Sequence, residues 1–71
     1  MTFQSYITSE FKGFDYGNRY TLANGQTWEQ TEFYVWFYIW IYPNVTIYTE
    51  YGLFKMKVKN IDHAITVRQI F

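Results

Sequence analysis

The amino-acid sequence predicts an all-β domain, and three observations carry that expectation. Val, Ile, Thr and the aromatic residues supply 37 of the 71 positions, whereas Ala and Leu contribute two each. Branched and flat side chains suit a pleated surface and lose rotamer freedom against a helical turn. Apolar residues make up 49% of the chain and charged ones 17%, the reverse of a disordered composition. Short runs with period-two alternation are separated by Gly, Asn, Asp and Pro at intervals that punctuate hairpins.

Residues 7–14 are the first predicted strand, with Gly13 marking a bulge or a close backbone approach near its end. The cluster Asp15-Tyr16-Gly17-Asn18 turns the chain. Two short strands, 19–22 and 26–31, flank Ala23-Asn24-Gly25, where Asn-Gly tolerates the positive φ at both positions that a tight hairpin needs. Residues 33–42 form the long strand, which ends at Pro43 because proline has no N–H for a ladder. Residues 44–49 continue extended, so the Asn44-Val45-Thr46 sequon reads as strand, not as a glycosylation site.

After a turn at Glu50-Tyr51-Gly52, residues 53–59 alternate. Phe54, Met56 and Val58 face inward and Lys55, Lys57 and Lys59 outward. Asn60-Ile61-Asp62-His63 fits a single 3₁₀ turn capped by Asn60 or Asp62. Residues 64–70 close the fold with Ile65 and Val67 inward. The expected architecture of residues 1–71 is a single small domain, a strongly bent antiparallel barrel of five to six strands. It is SH3-like, with one 3₁₀ turn before the last strand, and an OB-like barrel is the alternative.

The run Leu22-Ala23-Asn24-Gly25-Gln26-Thr27-Trp28-Glu29-Gln30 resembles the L-x-N-G-Q-x-W-x-Q signature of a family of small bacterial β-barrel proteins of unknown function. The stretches Pro43-Asn44-Val45-Thr46-Ile47-Tyr48, Tyr51-Gly52-Leu53-Phe54-Lys55-Met56-Lys57-Val58 and Ala64-Ile65-Thr66-Val67-Arg68 are similar to it as well. The resemblance covers nearly the whole chain from about Ile7. It implies a small bacterial β-barrel and transfers no catalytic residue. The chain departs from the family at Trp36, Tyr38 and Trp40, where the family is more mixed, with polar or small residues.

Six basic and six acidic residues leave a net charge of zero, which gives no electrostatic footprint for duplex nucleic acid or an anionic membrane. The absence of Cys removes disulfides, thiolate zinc sites and cysteine nucleophiles. The single histidine, His63, stands beside Asp62 in a predicted turn and reads as a surface residue, since a zinc site needs three or four converging ligands. No spacing pairs two of Glu10, Asp15, Glu29, Glu32, Glu50 and Asp62 for acid–base work, and no nucleophile elbow surrounds Ser5 or Ser9. The expectation is a protein that is not an enzyme and holds no cofactor and no metal. The start of the chain lacks the basic and apolar regions of a signal peptide. Its longest apolar run, 33–41, falls well short of the ~20 residues of a membrane helix, so a cytoplasmic location is expected.

Three groups are candidates for binding. Lys55, Lys57 and Lys59 share one strand face, and with aromatics nearby they suit the backbone of a single-stranded nucleic acid. Their plainer reading is a solvated face whose lysines discourage edge pairing. Gln26, Trp28 and Gln30 fall on one side of a strand, an arrangement that suits a sugar or peptide. The favoured reading makes Trp28 the main core tryptophan and has the glutamines bond loop backbone.

The third group is the most distinctive. By parity, residues 33–42 divide into Phe33, Val35, Phe37, Ile39 and Ile41 on one face and Tyr34, Trp36, Tyr38, Trp40 and Tyr42 on the other. Neither face is polar, although a strand of a small antiparallel barrel has one wet face. Five rings at ~200 Å² each would forgo about 25 kcal/mol in water, against a net stability of ~5–15. The Tyr and Trp parity therefore reads as a surplus that one small core cannot hold. Self-association through it is the expected function, with Trp36, Tyr38 and Trp40 central and Tyr34 and Tyr42 at the rim. The alternative is a binding module whose aromatic platform takes single-stranded nucleic acid, a glycan or a protein partner.

Overall fold

Alternating apolar and polar positions draw the chain into eight strands in the computed structural model, which describes residues 2–71. They are β1 (Thr2–Tyr6), β2 (Glu10–Phe14), β3 (Arg19–Thr21), β4 (Thr27–Gln30), β5 (Trp36–Ile41), β6 (Asn44–Glu50), β7 (Leu53–Val58) and β8 (Ile65–Gln69). Every pairing is antiparallel. Six strands form one sheet in the order β1-β6-β7-β8-β4-β3, and β2 and β5 form a second. Among the described residues there is no helix long and apolar enough to cross a membrane.

The inward positions build one core. Trp28, Ile47, Met56, Val58 and Ile65 are fully buried, and Ile7, Phe11, Phe14, Leu22 and Ile61 join them with almost no exposure. Met56 and Val58 face in, and Lys55 and Lys57 on the other parity face the other way, as the alternation requires.

The all-β expectation holds, but a closed barrel does not form among the described residues. The two outer strands of the large sheet, β1 and β3, meet only beyond their ends, at the single bridge Ile7↔Leu22. The Ala23 N–H donates to the Tyr6 carbonyl at 2.9 Å and the Thr8 N–H to the Thr21 carbonyl at 3.0 Å. A seam of this length fastens the sheet at one corner.

Four local expectations also change. Residues 2–6, not expected as a strand, pair along their whole length with β6 from Thr2↔Tyr48 to Tyr6↔Asn44. The strand expected over 7–14 is broken by a bend at Thr8 and Ser9, so β2 begins at Glu10. At 60–63 there is no 3₁₀ turn to cap. Asn60 takes φ 70°, the Ile61 N–H donates to the Val58 carbonyl at 3.1 Å, and burial of Ile61 draws the chain straight back into the core. The turn at 23–25 is where it was expected but of another kind, with Gly25 alone in the left-handed region at φ 88°. The Gly25 N–H donates to the Leu22 carbonyl at 3.0 Å, so the loop has three residues and not two. The two-residue turn with positive φ at both positions occurs instead at Tyr51 (53°) and Gly52 (78°), between Glu50 and its ladder partner Leu53.

Candidate functional site

Among the described residues, strand β5 hangs on β2 alone, so its other edge carries no partner strand. The ladder pairs Glu10 with Ile41, Phe11 with Trp40, Gly13 with Phe37 and Phe14 with Trp36, and its register shifts between Phe11 and Gly13. Phe11 and Phe14, three positions apart, would face opposite ways in a regular strand. The register shift, in which Lys12 stands opposite two residues of β5, and the positive φ of Gly13 turn both into the core, where neither keeps more than 2% exposure. Glycine stands at 13 because the backbones touch there. A Cβ at that position would lie 2.0 Å from the Trp36 carbonyl oxygen, and the residue holds φ 115°.

Residues directly opposite across a ladder share a face. Trp36 and Trp40 therefore lie on the side of Phe14 and Phe11, toward the core, and this sets the sense of the whole segment. Tyr34 and Tyr38 are half-buried and pack against the core. Trp36, Tyr38 and Trp40 stack in one row with centroids 5.6 and 5.9 Å apart and planes within 17° and 7° of parallel.

The other parity faces out. Phe33 is 87% exposed, Val35 and Phe37 75% each, Ile39 54% and Ile41 65%. The Tyr and Trp parity was expected to be the surplus left outside the core. The structure divides it: Tyr34 and Tyr38 pack against the core, whereas Trp36, Trp40 and Tyr42 keep 39%, 46% and 59% exposure. A crevice of about 220 Å³ opens beside this outward face between Phe14, Asp15, Val35 and Phe37.

The strand starts at Trp36 and not at residue 33 because Gln30 takes the backbone before it. Gln30, 1% exposed, donates from Nε2 to the Glu32 carbonyl at 3.0 Å and to the Tyr34 carbonyl at 2.8 Å. Its Oε1 lies 3.3 Å from the Tyr20 hydroxyl, which donates to the Gly13 carbonyl at 3.0 Å. Burial pushes the Tyr20 phenol up to about 12, so it stays a donor across the physiological range. Phe33 then lies flat on Tyr16, with centroids 4.5 Å apart, and Tyr34 stacks on His63 at 4.1 Å.

The other signature residues have comparable work. Asn24 accepts the Gln26 N–H at 3.0 Å and donates from Nδ2 to Gln26 Oε1, which also accepts the Trp28 indole N–H at 3.2 Å. Trp28 is fully buried, with Phe54 at 5.1 Å edge-on and Phe3 at 6.4 Å. A ligand reaches neither Trp28 nor Gln30, and their row with Gln26 is a fold-building motif. The sugar or peptide contact considered for it has no accessible ring.

Lys55, Lys57 and Lys59 belong to β7 and the turn after it, in the large sheet, so they do not join the rings of β5 in one track. Lys55 donates to Thr66 Oγ1 at 2.8 Å and Lys57 to the Val58 carbonyl at 3.1 Å.

Among the described residues, no three His, Asp or Glu side chains converge as a metal cluster would require. His63 Nε2 lies 3.2 Å from Glu32 Oε2, while Glu32 Oε1 accepts the Thr66 N–H. Burial raises the pKa of this carboxyl, but the Thr66 N–H, His63 and Lys55 outweigh it and hold the group below its ordinary range. Glu29 is held low mainly by Arg68, whose guanidinium is 2.7 Å away, with Arg19 at 3.4 Å adding to it.

Compared with models of known families, with curated proteins and with solved structures, the chain matches none.

Proposed function

We propose that this protein is a non-enzymatic small β-domain that associates with copies of itself through the segment Tyr34–Tyr42. One observation carries the reading: β5 and the residue before it present Val35, Phe37, Ile39 and Ile41 outward in an unbroken apolar row, and among the described residues the second edge of the strand is free. No charged residue or proline interrupts residues 33–42, so the edge lacks the devices that keep exposed strands apart. A flat apolar row is complementary to itself about a two-fold axis. The exposed rims of Trp36, Trp40 and Tyr42 widen it, and the crevice beside Phe37 has room for one side chain from a partner copy. Zero net charge does not oppose the association.

On the same footing, the bent sheet fastened at Ile7 and Leu22 is read as an opened SH3-like barrel. The chain is read as bacterial, cytoplasmic kin of the family with the L-x-N-G-Q-x-W-x-Q signature. The support is that Leu22, Asn24, Gly25, Gln26, Trp28 and Gln30 each meet a specific demand of the fold.

Light scattering on a sizing column at tens of micromolar tests the association. The wild-type chain should elute as a multiple of the monomer mass. A Phe37→Glu, Ile39→Glu variant should elute as a monomer with an unchanged circular dichroism spectrum. A wild-type monomer, or a variant of unchanged mass, overturns the reading.

A further inference from the structure

The cations of this neutral chain are not evenly matched by its acids. Lys12 lies 3.9 Å from Glu10, and Arg19 and Arg68 both hold Glu29. Lys55 bonds Thr66 and adds to the field that lowers Glu32. Lys57 and Lys59 remain, and among the described residues neither has a carboxylate within 4 Å. Both line one open cleft of about 630 Å³ on the outer face of β1, β6 and β7, and no acidic residue lines it with them.

The register builds this cleft in rows. Gln4 pairs with Thr46 and Thr46 with Lys57, which sets an amide, a hydroxyl and an ammonium in line across three strands. In the next row Tyr6 pairs with Asn44, whose carbonyl accepts the Lys59 N–H at 2.9 Å. The left-handed turn at Asn60 closes the end of the cleft with another amide. Lys57 spends one donor on the Val58 carbonyl, and an ammonium has two more.

We propose that this cleft binds a nucleotide through its phosphate, either free or within a single-stranded nucleic acid. Two ammonium groups with no carboxylate beside them select an anion, and the absence of acid from the lining removes the usual competitor. Tyr6, 45% exposed, offers a ring on which a base can stack. The amides of Gln4, Asn44 and Asn60 each supply a donor pair and an acceptor, the complement of a base edge or ribose. The volume falls within the ~300–1,000 Å³ of small-molecule sites. The site is independent of self-association, because it lies on the other sheet from β5.

Amide chemical shifts of the ¹⁵N-labelled chain, titrated with adenosine monophosphate, with a hexathymidylate and with inorganic phosphate, test the assignment. Tyr6, Asn44, Lys59 and Asn60 should shift saturably with a nucleotide ligand. Saturation by the monophosphate alone names a free nucleotide as the ligand, and saturation by the oligomer alone names a single strand. For the oligomer, two lysine contacts predict a slope of log affinity against log salt of about −1.4, at ~0.7 per phosphate. The variant Lys57→Gln, Lys59→Gln should lose about tenfold or more in affinity and flatten that slope while its own spectrum stays dispersed. The monomeric Phe37→Glu, Ile39→Glu variant should bind as the wild type does. Inorganic phosphate binding as tightly as either nucleotide overturns the assignment, and so does the absence of saturable shifts with all three.

Discussion

Replacing Gly13 by alanine should cost this domain most of its stability, and the structure says why. The added Cβ would sit 2.0 Å from the Trp36 carbonyl oxygen and 3.0 Å from the Phe37 Cα, both backbone atoms that no rotamer change can move. A φ of 115° adds strain of ~1–3 kcal/mol for a residue with a side chain. Relieving the clash opens the ladder at Gly13↔Phe37, at about 1 kcal/mol for each hydrogen bond lost. It also loosens Phe14, whose burial is worth ~1.5–3 kcal/mol. The sum is about 4–7 kcal/mol, against roughly 4–11 for a chain of this length. Gly25→Ala is the control. Gly25 also holds a positive φ, 88°, but no atom lies within 4 Å of its added Cβ, so it should lose only ~1–2 kcal/mol. Urea melts followed by tryptophan fluorescence give both values. If the two variants differ by less than about 1 kcal/mol, the close approach of β2 and β5 is not what positions the exposed strand.

Three further outcomes follow from local chemistry. Tyr51, 95% exposed with φ 53° ahead of Gly52, occupies a position that asparagine fills at lower cost. Tyr51→Asn should therefore stabilise by about 0.5–1 kcal/mol, read as a rise in Tm, and a fall in Tm would contradict the turn assignment. Gln30→Leu keeps the volume but leaves the Glu32 and Tyr34 carbonyls without their amide. It should cost about 2–4 kcal/mol and speed amide exchange at 31–36; unchanged exchange there would mean that Gln30 does not hold the segment. The Glu32 carboxyl is held below its ordinary value of 4.5, so its contribution is present above the unfolded pKa and lost as pH falls through the folded one. Thermal melts from about pH 5 down to 3 should show the wild type losing stability more steeply than Glu32→Gln, by a small margin because the pair faces solvent. Equal slopes would remove that carboxylate from the acid sensitivity.

Alternation made the large sheet readable. Lys55, Lys57 and Lys59 against Met56 and Val58 fix one face of β7, and Ile65 and Val67 fix one face of β8. What escaped depended on partners distant in sequence. Residues 2–6 carry one weak anchor, Phe3, and become a strand only because β6 offers a matching edge. Tyr51-Gly52 forms the two-residue turn, although Asn24-Gly25 has the composition for it, because Asn24 uses its side chain to bond Gln26 and leaves the left-handed position to Gly25. The nucleotide cleft was half visible as a row of lysines. Its other wall, Gln4 and Tyr6, comes from the strand that the pattern did not mark.

Why the exposed side of β5 escaped is a matter of symmetry in the sequence itself. When both parities of a ten-residue run are apolar, alternation no longer says which points inward, and size or aromaticity cannot decide it. The decision is made on β2. A glycine at 13 permits the positive φ and close approach beside the register shift, this turns Phe11 and Phe14 the same way, and their ladder partners Trp40 and Trp36 must follow. The two tryptophans thereby become part of the packing around Tyr38, and a charge at Trp36 would disturb the fold before it reached any partner. Phe37 and Ile39, on the opposite parity, keep 75% and 54% exposure in the free chain, so a charge at either stays hydrated. That asymmetry is what makes Phe37→Glu, Ile39→Glu a clean test of association. A change in assembly mass at constant stability can then be assigned to the outward face alone.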